Sequence, residues 1–264
     1  MKQLVIVKIG GNIVDDDYSL QKFLKNFAAI KQAKILVHGG GKLATRLAAT
    51  MGIEQQMVDG RRITDAETLK VVTMVYAGYI NKNIVAQLQQ YNANAIGLTG
   101  ADANSILAHK RISKTAEATD YGFVGDINQV NTVFFHGLIQ QALVPVVSPI
   151  THDGNGQLLN TNADTIAQSI ATAMSSFYET ILVYSFEKKG VLLDINDQDS
   201  VIRVIHPNYY QTLKANQQIF AGMIPKLDNA FVAIEQGVSK VIIGNAADLD
   251  ELIIGKAGTT IQHG

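Results

Sequence analysis

Two glycine runs follow short apolar stretches, Lys8-Ile9-Gly10-Gly11-Asn12 and His38-Gly39-Gly40-Gly41-Lys42. Glycine lets backbone N–H groups come close to an anion, and a helix starting behind such a turn adds a favourable field. The chemistry indicated is binding of phosphate or carboxylate. One run alone would serve equally as a tight turn; two at strand ends shift the reading towards a ligand. Neither is a P-loop, because Leu36 and Leu43 stand where that motif needs Gly and Ser or Thr, and G-x-G-x-x-G is absent from both. Lys8 leaves a buried strand, where a cation is costly unless it meets an anion or a paired carboxylate. Arg62, in Asp59-Gly60-Arg61-Arg62-Ile63-Thr64, can offer the planar fork that recognises a carboxylate. Asn160-Thr161-Asn162-Ala163-Asp164 opens a helix with more polar side chains than one cap requires, so a polar group facing a ligand is expected. Lys226, in Gly222-Met223-Ile224-Pro225-Lys226, falls just inside a helix beginning near Pro225, where the macrodipole disfavours a cation without an anion nearby.

Other chemistries are excluded by what is missing. The chain has no cysteine, its six histidines show no metal-ligand spacing, and no G-x-S-x-G elbow occurs. No protein-held metal is expected, and His38 reads as a packed or hydrogen-bonded residue. With 264 residues, 47% apolar and 17% charged, the chain can bury one large core or two modest ones. Lys plus Arg number 22 against 23 Asp plus Glu, which gives no footprint for nucleic acid. No window is long and apolar enough for a membrane span, and the first strand begins almost at Met1 without a signal-peptide layout. A cytoplasmic protein is expected.

The elements that must position these residues follow from periodicity. Short, β-branched, continuously apolar runs at 4–7, 35–37, 95–98, 143–147, 181–184 and 241–243 read as parallel strands buried on both faces. Helical stretches at 20–30, 163–174 and 227–236 alternate with them, which is the pattern of an α/β sandwich. Residues 65–91 carry a longer helical stripe interrupted only by Gly78, bent within one core or covered by a second subunit. Segments 124–133 and 154–159 read as β-hairpin material beside a pocket, with Asp153-Gly154 and Asn155-Gly156 as turns. A boundary near 177–180 divides the chain into 1–179 and 180–264.

In order and spacing, several segments resemble acetylglutamate kinases, of the amino acid kinase family. They are Lys8-Ile9-Gly10-Gly11, His38-Gly39-Gly40-Gly41, Gly60-Arg61-Arg62-Ile63-Thr64, the run from Gly125 to Asn131, Pro145-Val146-Val147-Ser148-Pro149, the Asn160 segment and Gly222-Met223-Ile224-Pro225-Lys226. The match extends to Gly258-Thr259-Thr260-Ile261. The resemblance implies a three-layer αβα sandwich with a mainly parallel open sheet, the carbamate kinase-like fold. Residues 1–179 would form the acylglutamate-binding lobe and 180–264 the nucleotide-binding lobe. The activity implied is ATP-dependent phosphorylation of the γ-carboxylate of N-acetyl-L-glutamate in arginine biosynthesis, with Mg²⁺ carried in on the nucleotide.

Carried over residue by residue, Lys8 and Lys226 are implied as transition-state cations and Asp164 as the group orienting them. Gly40, Gly41, Arg62 and Asn160 would contact the acylglutamate, and Gly10, Gly11, Ser185, Gly222 and Met223 the nucleotide. Two departures stand out. The turn after the nucleotide-lobe strand reads Tyr184-Ser185-Phe186-Glu187-Lys188-Lys189-Gly190, lacking the family's aspartate, for which Glu187 is a candidate substitute. Arg61 adds a cation beside Arg62, which would suit the second carboxylate of N-succinyl-L-glutamate, the alternative substrate. A non-catalytic ligand-sensing module on the same fold is the rival from another class. Family members inhibited by arginine carry an extra N-terminal helix that links dimers into a ring, so an arginine-insensitive homodimer joined through 65–91 is expected.

Overall fold

A computed structural model describes residues 1–58, 61–112, 119–194, 196–216, 218–219 and 223–263, apart from the side chains of Arg61 and Pro225. The chain divides into two compact units, Met1–Ile35 with Ala167–Gly264, and Leu36–Ile166. The division does not follow the 179/180 boundary expected from sequence. The first strand pairs with one some 176 residues later (Gln3 beside Glu179), and a linear reading cannot register that pairing.

In the unit of Met1–Ile35 and Ala167–Gly264, strands Gln3–Ile9, Glu179–Phe186 and Lys240–Asn245 run parallel, with Ile6 opposite Leu182 and Leu182 opposite Val241. Thr259–Ile261 runs antiparallel to Lys240–Asn245 and parallel to the edge strand Val204–Ile205. Leu4, Val5, Ile6 and Val7 are all fully buried. Successive strand side chains point to opposite faces, so this sheet is covered on both. Helices Leu249–Ile253 and Ile224–Glu235 pack on it, and Asp17–Ala29 packs on Leu249–Ile253. Lys34 Nζ donates to Ala28 O (2.6 Å) and Ile30 O (2.9 Å), satisfying carbonyls where Asp17–Ala29 ends. Burial, with Lys31 nearby, pushes that amine down to about 8.

In the unit Leu36–Ile166, residues 36–38 of strand Ala33–His38, then Val144–Val147 and Ala95–Leu98, lie parallel in that order, with helices Asn81–Gln90 and Thr132–Gln140 packed on the last two. Segments expected as a hairpin flap are instead part of a closed barrel of four strands, Leu158–Thr161, Val124–Val130, Ile106–Lys110 and Ile150–His152. Asn131 lies beyond the barrel strand, where its side chain caps helix Thr132–Gln140 by accepting from Phe134 N. Closing the barrel removes the free edge that a flap would have left.

The 65–91 stripe is helical throughout, in three stretches. Ala66–Thr73 and Asn81–Gln90 are α-helical, and Met74–Ile80, which contains Gly78, is π-helical. The interruption expected at one glycine is therefore a change of winding over seven residues. Asp65 caps the start, its carboxylate accepting from Thr68 N at 2.7 Å, which holds it below the usual carboxylate range. Among the described residues no helix is long and apolar enough to cross a membrane. Replacing Asp65 by Ala removes the cap and should lower the unfolding free energy by about 1 kcal/mol in urea titrations; an unchanged midpoint would show that the helix start is held by packing alone.

Candidate active site

Within Leu36–Ile166, the turn after strand Ala33–His38 opens into a cavity of about 210 Å³. Gly39, Gly40, Gly41, Arg62, Asn160 and Asn162 supply its polar lining, and Met57, Tyr76, Val124 and Pro149 its apolar side. That volume is below the ~300–1,000 Å³ of drug-sized sites and suits a small acid. Gly40 has φ +149°, and a Cβ there would collide with the tip of Ile80 and press against the Tyr76 ring. Gly40 is also the N-cap of helix Gly41–Thr50 and offers no side-chain cap, so the first N–H groups of a ten-residue helix face the cavity without an intrahelical partner.

Arg62 is 9% exposed. Its Nη2 donates to Gly41 O (3.0 Å) and Thr45 Oγ1 (2.9 Å), and Nη1 donates to Gln55 Oε1. These bonds fix the guanidinium plane and use at least three of its five donors, so the fork is only partly open to a ligand. Asn160 Nδ2 donates to Thr64 Oγ1 (3.0 Å), whose hydroxyl donates to Arg62 O (3.0 Å), so the two polar walls are joined. Asn162 is the helix cap, accepting from Asp164 N (2.8 Å) and Thr165 N (3.1 Å). Of the polar run 160–164, Asn162 therefore both caps the helix and lines the cavity, and Asn160 and Thr161 line it without capping. Asp164, half-buried, sits in the first turn of helix Ala163–Met174.

In the other unit, Lys8 lies near the end of strand Gln3–Ile9 opposite Tyr184, and Gly10 and Gly11 follow it into helix Gly11–Val14. Ser185, opposite Ile9, buries an Oγ with no hydrogen-bond partner among the described residues. Lys226 Nζ stands 5.2 Å from the centre of the Phe186 ring, a cation–π contact. Glu187 accepts from Asn12 Nδ2, and its carbonyl from Asn245 Nδ2 (2.8 Å), which ties the altered turn to the glycine run of the first strand. Gly60 and Gly222 lie outside the described residues, as does the Arg61 side chain; Met223 precedes helix Ile224–Glu235 as its N-cap. No cluster of three His, Asp or Glu residues poised to hold a metal occurs among the described residues.

Residues 3–245 match the profile of the amino acid kinase family. The chain belongs to that family. It is 58% identical to the acetylglutamate kinase of Cytophaga hutchinsonii over 96% of this chain and 95% of the relative. It is 57% identical to that of Phocaeicola vulgatus over 99% of both. The structure of Giardia carbamate kinase shares the fold, with a TM-score of 0.68 at 15% identity over 100% of this chain and 99% of the other.

For a member of the amino acid kinase family, sequence reasoning found the cavity's glycines, Arg62 and Asn160 but missed Tyr76, Thr64, Met57 and Thr161. Tyr76 read as part of a core stripe and Thr64 as a helix start. Their orientation depends on the π-helical winding and on the barrel, which no local pattern announces. His38 is packed as expected, fully buried, with Nδ1 2.8 Å from Gly39 O. Burial pushes its imidazole down to about 4, against about 6.5 when unfolded. The folded chain thus binds this proton less readily, and stability present above pH 6.5 is lost as the pH falls towards 4. Between pH 7 and 5 the wild-type unfolding free energy should fall by about 2 kcal/mol more than that of His38→Gln. Equal slopes in urea titrations would contradict a neutral buried imidazole.

Proposed function

We propose that this amino acid kinase phosphorylates the γ-carboxylate of N-acetyl-L-glutamate, working in the cytoplasm as a homodimer. The observation that carries the reading is the small cavity in which a buried arginine, an asparagine and an uncapped helix N-terminus converge, as binding a small dicarboxylate requires. The names of the two bacterial relatives agree with it. Arg62 and Asn160 hold the acylglutamate, and the Gly40 and Gly41 N–H groups face a carboxylate.

The accepting γ-carboxylate is ionised at pH 7, so no general base is needed. One of its oxygens bonds to the γ-phosphorus of ATP as the bond to the β-phosphate oxygen breaks, giving the acyl phosphate and ADP. What has to be stabilised is charge on the transferring group, and that work falls to Lys8, Lys226 and the Gly10–Gly11 backbone, with Asp164 orienting the lysines. The residues present suit a polyanion: two lysines, glycine N–H groups and the unpartnered Ser185 hydroxyl. Mg²⁺ bound to the nucleotide would neutralise part of the phosphate charge. The exposed Met74 and Tyr79 on the 65–91 helix supply apolar surface for the dimer contact.

Steady-state ADP release with N-acetyl- and N-succinyl-L-glutamate tests the reading. A higher kcat/KM for the acetyl compound is expected; preference for the succinyl compound would move the assignment to that substrate, and tight binding without turnover would favour a sensor. Lys8→Ala and Lys226→Ala should each lower kcat by about 10² or more with little change in acylglutamate affinity. Arg62→Ala should mainly raise the acylglutamate KM. Wild-type turnover in Lys226→Ala would overturn the role given to that lysine.

A further inference from the structure

The π-helical turns Met74–Ile80 bring onto one side of the helix three residues, of which α-helical winding would keep the two that are four apart together and carry the third away. They are Tyr76 and Ile80, four apart, and Asn81, five beyond Tyr76; all three are buried. Tyr76 lines the cavity, and Ile80 stands where a side chain on Gly40 would have to go. Asn81 reaches elsewhere. Its Nδ2 donates to Val146 O at 2.9 Å and to His38 Nε2 at 3.2 Å, and its Oδ1 accepts from Lys82 Nζ at 3.2 Å. That amide lies so close to Gly97 that no Cβ fits there. Reversing the amide would set its oxygen against the Val146 carbonyl, so the donor must face His38.

An imidazole that accepts at Nε2 carries its proton on Nδ1 when neutral, and Nδ1 is the atom 2.8 Å from Gly39 O. In a trans peptide the carbonyl of Gly39 and the N–H of Gly40 point opposite ways. Holding the carbonyl on the imidazole side therefore fixes the direction of the Gly40 N–H on the other. Neither His38 nor Asn81 is among the residues lining the cavity, whereas Gly39 and Gly40 are. We propose that Asn81 and His38 are positioning residues for the acidic substrate: Asn81 selects the imidazole tautomer, and the imidazole locks the Gly39–Gly40 peptide so that its N–H meets the substrate's carboxylate. This rests on the acylglutamate reading of the cavity. Burial, which keeps the imidazole neutral, agrees with it.

Packing and positioning predict opposite orders of tolerance. His38→Leu keeps the volume and loses the donor to Gly39 O; His38→Asn loses volume and keeps an amide donor near the Nδ1 position. Calorimetric titration of each variant with N-acetyl-L-glutamate, alongside ATP KM values and urea midpoints, separates the two. His38→Leu and Asn81→Leu should each weaken acylglutamate binding about tenfold, with His38→Asn within a few-fold of wild type and the ATP KM unchanged in all three. The double variant His38→Leu with Asn81→Leu should be no weaker than either alone, because both act through one peptide. Wild-type affinity in His38→Leu, or weaker binding in His38→Asn than in His38→Leu, would overturn the proposal. Turnover by the wild-type protein reports separately on the kinase reading: binding without turnover would remove that reading and leave the positioning result standing, and failure of the wild type to bind the acid would overturn both.

Discussion

A backbone lets an anion come closest where no side chain on its own Cα atoms stands in the way, and the turn at Gly39–Gly41 in the Leu36–Ile166 unit is such a place. Gly40 turns the chain at φ +149° against Ile80 and Tyr76, and the helix behind it begins without a side-chain cap. A side chain at Gly40 would be strained at that φ and would push the tip of Ile80 aside. The cation of the site follows from the same turn, because Arg62 is anchored on Gly41 O and Thr45, both supplied by the Gly41–Thr50 helix. Asn160 then joins that corner through Thr64. The polar wall is one connected set of bonds, and a ligand entering it meets groups already aimed, with little side-chain entropy left to lose.

The Met1–Ile35 and Ala167–Gly264 unit solves a different electrostatic problem. Lys8 and Lys226 are cations on rigid elements, one at a strand end and one in the first turn of a twelve-residue helix. In the altered turn Lys226 rests over the Phe186 ring, and Glu187 is taken up by Asn12. An aromatic face attracts an ammonium group electrostatically, so the Phe186 ring helps to place the Lys226 side chain.

The six buried runs were legible because strands covered on both faces are apolar without a break. All six are strands, and 95–98 has the bounds expected. The helix Ala163–Met174 was equally legible from its stripe and its Asn162 cap. The barrel was not. Ile106–Lys110 ends in His109 and Lys110, and the strand is defined by pairing with Val124–Val130 through a bulge at Leu107/Ala108, which sequence spacing does not show. The site residues seen from sequence were those whose type is costly without a reason, glycine at a strand end or a cation beside a core. Asn81 gave no such signal. Its value depends on a π-helical winding that carries it round to His38, and periodicity treats it as one more polar position on an amphipathic helix.

The central claim is that a carboxylate is the phosphoryl acceptor, and the product is where this shows most directly. Hydroxylamine cleaves an acyl phosphate to a hydroxamate but leaves a phosphate ester or free phosphate untouched. With ATP, Mg²⁺, N-acetyl-L-glutamate and hydroxylamine present, the protein should form hydroxamate and ADP in equal amounts. ADP released without hydroxamate would show that the phosphoryl group goes to water or to a hydroxyl, and would contradict the account.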